Sequence, residues 1–346
     1  MDYFVTGGTG FLGTKTIESL VADGHVVVAL TRSRANASHL PDAVTVVEGD
    51  VTDKASMREA MTGVDGVFHM AGWGYVGPGR RHYETAERIN VDGTRNVLEL
   101  MDELDVPKGV YTSTVGVYGS TGGRTVDESV HPDNPGTCVY FRTKWRAHYE
   151  VAKPMMESGL PLVVVLPGVV FGAGDKEYGS AREAFLNWLR DDLPVLPEGV
   201  ALPYDYVDDT VRGIRLAMSD GVPGEDYIIA NDAREVVDLF ECAERITGKP
   251  APRSVSRRWF WLFGKLLTPV EWVTTPPEGF EPEKLRVYGS TGIRVDNSKA
   301  ERELGLDHRP LAAGLREYLE WELAQLEDVS GLDAETIDAG REDTDA

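Results

Sequence analysis

Cysteine is nearly absent from this chain. Its 346 residues contain two, Cys138 and Cys242, far apart and outside any CxxC pair. That excludes a disulfide framework and the usual zinc spacings, and a reduced cytoplasm fits. Basic charge is also scarce: 35 Lys and Arg stand against 57 Asp and Glu, a formal net charge of −22. Such a surface repels DNA, RNA and anionic lipid, so no nucleic-acid partner is expected. Long apolar runs are missing too. The longest candidate, Leu160 to Val170, is broken by Pro161 and Pro167, so no integral membrane segment is expected. A signal peptide is not expected either, because Tyr3-Phe4-Val5 already reads as a strand entering a glycine turn. The expected location is the cytoplasm.

What is present is acid and apolar residues. The acids spread from Asp2 to Asp345, and Arg outnumbers Lys. This reads as adaptation to a high-salt cytoplasm, such as that of a halophilic archaeon; an ordinary acidic protein is the alternative. At molar salt the Debye length is about 3 Å, which screens the self-repulsion. The chain is 42% hydrophobic, enough for one large domain or two coupled ones.

Strand and helix patterns alternate through the first half. Strands are expected at Tyr3–Val5, His25–Leu30, Val44–Glu48, Val64–Met70, Gly109–Thr112 and Leu162–Leu166. Helices are expected at Leu12–Asp23, Asp53–Met61, Glu84–Leu104 and Tyr140–Glu157. Unbroken apolar strands between helices imply an α/β fold, a doubly wound parallel sheet of Rossmann type with a smaller mixed C-terminal part. After Pro167 the rhythm loosens. Helices are expected at Ala181–Arg190, Asp209–Ala217 and Val236–Thr247, and a strand at Glu225–Ala230. Ser298–Gly305 and Pro310–Glu327 close the ordered chain. We divide it into residues 1–170 for the dinucleotide, with segments near 200–230 returning to it, residues 171–325 mainly for substrate, and an acidic disordered tail at 328–346.

Two motifs carry chemistry. In Thr6-Gly7-Gly8-Thr9-Gly10-Phe11-Leu12-Gly13, glycines allow a tight turn, a close approach to pyrophosphate and helix packing on the sheet, and the helix supplies amide donors. In Tyr140-Phe141-Arg142-Thr143-Lys144, a phenol and an amine lie one helical turn apart. Free tyrosine, with a pKa near 10, is a poor base at neutral pH, and a nearby cation favours its phenolate. Tyr140 is then a proton donor to a carbonyl as hydride arrives, or an acceptor in reverse. A dinucleotide turn and an activated tyrosine together point to carbonyl or alcohol redox chemistry.

The spacing Gly7-x-x-Gly10-x-x-Gly13 resembles the extended short-chain dehydrogenase/reductases, the NAD-dependent epimerase/dehydratase group. Further segments are similar to that family: Gly49-Asp50-Val51-Thr52-Asp53, Phe68-His69-Met70-Ala71-Gly72, Asn90-Val91-Asp92-Gly93-Thr94, Thr112-Ser113-Thr114-Val115-Gly116-Val117-Tyr118-Gly119, Pro167-Gly168-Val169-Val170-Phe171-Gly172 and Tyr206-Val207-Asp208-Asp209. The resemblance covers residues 2–325. It implies a cofactor contacted by Gly7, Gly10, Phe11, Leu12, Gly13, Asp50, Val51, Met70, Ala71, Gly72, Asn90, Thr112, Pro167 and Val170, with Lys144 on the nicotinamide ribose. It puts Thr114 in the place of the hydroxyl that holds the reacting oxygen, with Ser113 as a rival. Asn90 is implied either in a water-mediated proton path or in a cap or kink.

The second strand ends Ala29-Leu30-Thr31-Arg32-Ser33. No acid is present to bind ribose hydroxyls, and Arg32 offers a bidentate fork to a 2′-phosphate, so NADP(H) is favoured and NAD(H) remains open. Val115-Gly116 replace the acid pair of family dehydratases. The chain looks most like the dihydroflavonol-reductase-like branch, NADPH-dependent carbonyl reductases acting on small organic molecules. The alternatives are an NAD-dependent nucleotide-sugar epimerase and a non-catalytic NADP-binding regulator. Relatives often form homodimers through a four-helix bundle, here Glu84–Leu104 and Tyr140–Glu157. One segment is left open: Arg257–Val273, rich in Trp and Phe, reads as a pocket wall, a membrane-surface helix or plain packing.

Overall fold

A computed structural model describes residues 1–77, 79–133, 138–176, 179–269 and 281–326. β1 (Asp2–Thr6) leads into α1 (Phe11–Ala22), then β2 (Val26–Thr31), β3 (Thr45–Glu48), α2 (Lys54–Met61) and β4 (Gly66–His69). There follow α3 (Tyr83–Glu87), α4 (Gly93–Glu103), β5 (Gly109–Thr112), β6 (Thr125–Val126), α5 (Val139–Arg146), α6 (Lys153–Glu157) and β7 (Leu162–Leu166). The second half runs β8 (Val169–Phe171), α7 (Ser180–Leu189), β9 (Val195–Glu198), β10 (Ala201–Tyr206), α8 (Val207–Ser219), β11 (Asp226–Ile228) and β12 (Ala233–Glu235). It ends with α9 (Val236–Thr247), β13 (Arg253–Ser256), α10 (Arg257–Leu267), α11 (Pro282–Tyr288), β14 (Arg294–Val295), α12 (Ser298–Leu304) and α13 (Leu311–Gln325).

Seven strands form one sheet in the order β11-β7-β5-β4-β1-β2-β3, and every pairing in it is parallel. β7, Leu-Val-Val-Val-Leu, is buried at all five positions, as a strand covered by helices on both faces must be. The strand order reverses between β1 and β4, the place where doubly wound sheets open a crevice at their carboxyl ends. Three small sheets flank this layer: β12-β10-β8, β13-β9 and β14-β6. A second core, including Phe171, Phe185, Trp188, Phe240 and Tyr318, fills the C-terminal part. The chain then returns to the large sheet, where Ala300, Leu304 and Leu306 pack with Val5 and Ile17.

Two expected helices are not continuous. A π turn at Arg88–Asp92 separates α3 from α4, and another at Ala147–Ala152 separates α5 from α6. One extra residue per turn re-aims the side chains that follow, and a 3.6-residue apolar pattern does not register it. Val270 and Trp272, and the tail at 328–346, lie outside the described residues.

Candidate active site

The turn after β1 is built for close approach. Gly7 has φ +73°, and a Cβ there would lie 2.5 Å from the amide nitrogen of Ala71 and 2.6 Å from the carbonyl carbon of Met70. A Cβ on Gly13 would lie 2.1 Å from the oxygen of Gly7. Only glycine lets the turn press on the end of β4 while α1 packs on the turn. Gly10 precedes α1 in an extended conformation, and no side chain caps the helix. The amides of Phe11, Leu12 and Gly13 therefore have no partner within the helix. They present donors and the positive end of a 12-residue helix to whatever binds there. This cradle fits a dinucleotide pyrophosphate.

The neighbouring positions are held by short-range hydrogen bonds. Met70 N–H donates to the oxygen of Thr6 (3.1 Å) and Ala71 N–H to its hydroxyl (3.2 Å). Asp50 accepts from the backbone of Thr52 at 2.8 Å, and the carbonyl of Val51 accepts from the side chain of Asn96 at 2.9 Å. Asn90, inside the first π turn, is fully engaged. Its oxygen takes Trp73 N–H at 2.6 Å, and its amide donates to the Trp73 carbonyl (3.0 Å) and to the Thr143 hydroxyl (2.9 Å). Its side chain ties the loop after β4 to α5. A Cβ on Gly72 would lie 3.3 Å from its oxygen.

Tyr140 and Lys144 both reach the end of β5. The Tyr140 phenol lies beside the Thr114 hydroxyl, and Lys144 Nζ donates to the Thr112 carbonyl at 2.8 Å. Burial pushes Tyr140 up to about 12, with the nearby Thr114 hydroxyl working against the rise. Burial pushes Lys144 down to about 7. In the protein alone the phenol is therefore protonated. The Thr112 hydroxyl oxygen is buried and has no partner, a further polar atom available to a cofactor beside Lys144.

Ser113 faces the other way. Its hydroxyl lies 3.0 Å from His148 Nδ1, His148 Nε2 lies 3.1 Å from Asp226, and Lys153 reaches the same carboxylate at 2.7 Å. Burial pushes Asp226 up, but His148 and Lys153 pull harder and hold it below its ordinary value. Burial holds His148 below its own ordinary value, against the pull of Asp226. Under β4, His69 bridges Thr6 (2.7 Å) and Thr94 (2.9 Å) and stacks on Tyr111 at 5.3 Å. The Lys144 ammonium lies over that Tyr111 ring, 4.5 Å from its centre.

Pro167 and Val170 flank the far side. The Pro167 carbonyl accepts from Val115 at 3.0 Å. Gly168 N–H donates to buried Asp205 at 2.5 Å, and Asn231 N–H to its other oxygen at 2.7 Å. Burial pushes this carboxyl up to about 7 against those two donors. At the end of β2, Arg32 is exposed. Arg34 N–H donates to Glu48, and the His39 ring lies 3.0 Å from the Thr14 hydroxyl in the first turn of α1.

Sequence reasoning missed the supports. Cys138 caps α5, its sulfur 3.3 Å from Phe141 N, and the Glu283 carboxylate accepts from Val139 N–H at 2.9 Å. His148, Asp226 and Asp205 were not singled out. A buried acid inside an apolar strand, such as Asp205 within Leu202-Pro203-Tyr204-Asp205-Tyr206, was the one local signal available.

Residues 3–230 match the model of the NAD dependent epimerase/dehydratase family. A Synechocystis sp. protein carrying the name dihydroflavonol 4-reductase is 29% identical, over 92% of this chain and 94% of its own. A 3 beta-hydroxysteroid dehydrogenase/Delta 5→4-isomerase of Mycobacterium tuberculosis is 28% identical, over 88% of this chain and 85% of its own. The structure of a UDP-glucose 4-epimerase from Thermotoga maritima superposes with a TM-score of 0.75 at 23% identity, over 94% of this chain and 100% of the other. With a family match spanning about two thirds of its length, a glycine turn after β1 and a phenol and amine at the end of β5, this chain belongs to the NAD-dependent epimerase/dehydratase family and is an NAD(P)-dependent enzyme of the extended short-chain dehydrogenase/reductase type.

Proposed function

We propose that this enzyme uses NADPH to reduce a carbonyl on a small, largely apolar molecule, or runs that reaction in reverse. The observation that carries the reading is the pair of contacts across α5 and β5, Tyr140 with Thr114 and Lys144 with Thr112. Bound NADPH supplies hydride. Thr114 holds the substrate oxygen, and Tyr140, protonated in its buried setting, donates the proton that the new alcohol requires. Lys144 holds the ribose beside them. Three features support an apolar substrate. Trp73 and Val139 form a cluster against Tyr140. Tyr75 meets Trp73 edge-on at 5.5 Å. Steroid dehydrogenases stand among the relatives.

Arg32 favours a 2′-phosphate, with Arg34 and His39 close by in sequence and in the fold. We place the cofactor on residues 1–170 and the substrate mainly on 171–325, in a cytoplasmic protein adapted to high salt, with a homodimer through the helices at 83–103 and 139–157. Buried, unpaired Cys138 and Cys242 suit that compartment.

Two measurements test the reading. Wild type should bind NADPH more tightly than NADH, and Arg32→Asp should reverse the order; equal affinity for both in wild type refutes the cofactor assignment. Tyr140→Phe should bind NADPH normally yet lose about 10²–10⁴ in kcat on a carbonyl substrate. Unchanged turnover refutes the catalytic assignment and leaves a binding or regulatory protein.

A further inference from the structure

Ten large hydrophobic side chains are exposed among the described residues, and five of them lie on α10: Trp259, Trp261, Leu262, Phe263 and Leu266. Trp259, Leu262, Phe263 and Leu266 recur at i, i+3, i+4 and i+7, so they form one stripe. Phe263 is 51% exposed and Leu266 64%, values that no core position gives. The opposite face is already occupied. A Cβ on Gly264 would lie 3.0 Å from the carbonyl of Pro282 in α11, and Phe260 meets Tyr288 edge-on at 6.3 Å. Arg286 donates to the Thr268 hydroxyl at 2.6 Å. The helix therefore has one face for the protein and a second, aromatic face turned outward.

Charge says what that face meets. Residues 245–270 contain six cations (Arg245, Lys249, Arg253, Arg257, Arg258 and Lys265) and no acid, in a chain that averages one acid in about six residues. Lys249 is paired with Asp191 at 2.7 Å, and Glu198 of β9 adjoins the start of α10 beside Ser256, so the cations that matter are those on the helix itself. Arg258 and Lys265 are seven residues apart and exposed on one flank of the stripe, and Lys265 lies 3.9 Å above the Trp261 ring. The net charge of −22 over the whole chain does not decide the matter, because charges beyond about 8 Å are largely screened at about 0.15 M salt, and beyond about 3 Å at molar salt. Within that range the helix presents cations at the rim and Trp and Phe at the centre, the composition of a segment lying in a bilayer interface. It does not span: 11 residues rise about 16 Å, half the hydrocarbon thickness. A second copy is disfavoured as the occupant, since apposing two such stripes brings Arg258 and Lys265 against their own like.

We propose that α10 docks this protein on a membrane surface carrying anionic headgroups. The docked helix is tied to the catalytic one, because α11 supplies Glu283, which accepts from Val139 at the start of α5.

The test is flotation of the full chain with vesicles of phosphatidylcholine alone or of equimolar phosphatidylcholine and phosphatidylglycerol. At about 0.15 M KCl, wild type should partition at least tenfold more onto the anionic vesicles, and molar salt should erase the difference. Trp259→Ser with Phe263→Ser and Leu266→Ser should lose binding while keeping NADPH affinity. Arg258→Glu with Lys265→Glu should fall to the level seen with phosphatidylcholine. Quenching of wild-type tryptophan by brominated lipid gives a readout that needs no variant. Wild type that floats with neither vesicle, with no quenching, overturns the proposal. So does a triple variant that floats as well as wild type, or a wild-type dimer by light scattering that the triple variant converts to monomer.

Discussion

Acid should loosen the support beneath the site, and His69 gives the size of the effect. Its ring is fully buried between Thr6 and Thr94, and burial, with the nearby Lys144 ammonium, pushes it down to about 3 from an ordinary value of 6.5. Below pH 6.5 the unfolded chain takes up a proton on this residue that the folded protein refuses until about pH 3. Stability is therefore complete above 6.5 and falls as pH drops through that window. The slope from this residue alone is about 1.4 kcal/mol per pH unit, so pH 4.5 costs roughly 3 kcal/mol. His148, also held below its ordinary value by burial, adds a slope of the same sign, so the wild-type curve alone does not isolate His69. The comparison is urea unfolding at pH 7, 5.5 and 4.5 for wild type and His69→Asn, whose side chain does not titrate. Wild type should lose about 3 kcal/mol more than the variant between pH 7 and 4.5. Equal losses refute the reasoning. Carbon NMR of labelled histidine in wild type is the independent check, and a His69 pKa near 6.5 refutes it equally.

Thr114→Val should lower kcat about 10²–10³-fold with a small change in KM, as for removal of one oxyanion donor; Ser113→Ala should keep kcat and lose about 1–3 kcal/mol in denaturant melts, because its partner is His148. Gly13→Ala should abolish NADPH binding by fluorescence titration in a protein that still folds, since the new Cβ has to displace the Gly7 carbonyl. Asp205→Ala should cost about 2–5 kcal/mol by leaving the amides of Gly168 and Asn231 without an acceptor, and should weaken NADPH binding through the Pro167–Val170 segment. Thermal melts should rise with KCl up to molar concentrations, because the acidic excess is then screened; melts that fall or stay level contradict the high-salt reading.

Much of this architecture was readable because it is written locally. β7 announces itself by five consecutive apolar residues, α9 by its apolar spacing, and the cradle by three glycines whose side chains would collide with backbone. The π turns were not readable. The apolar stripe through Val97, Leu98 and Met101 lies beyond Arg88–Asp92 and carries no mark of the extra residue, which only the backbone reveals. Glu283 was beyond reach for another reason. It serves Val139 from 144 residues away, and nothing in either neighbourhood names the other.

Ser113 and Thr114 were both open as the hydroxyl that meets the reacting oxygen, and we propose Thr114 from the different surroundings of the two. Successive side chains at the end of a strand point to opposite faces. Lys144 donates to the Thr112 carbonyl, and Tyr140, one turn earlier, lies beside Thr114, whereas the Ser113 hydroxyl is turned to the interior and His148. The two buried histidines beside the site are occupied elsewhere: His69 lies between Thr6 and Thr94, and His148 between Ser113 and Asp226, and burial holds both below their ordinary values.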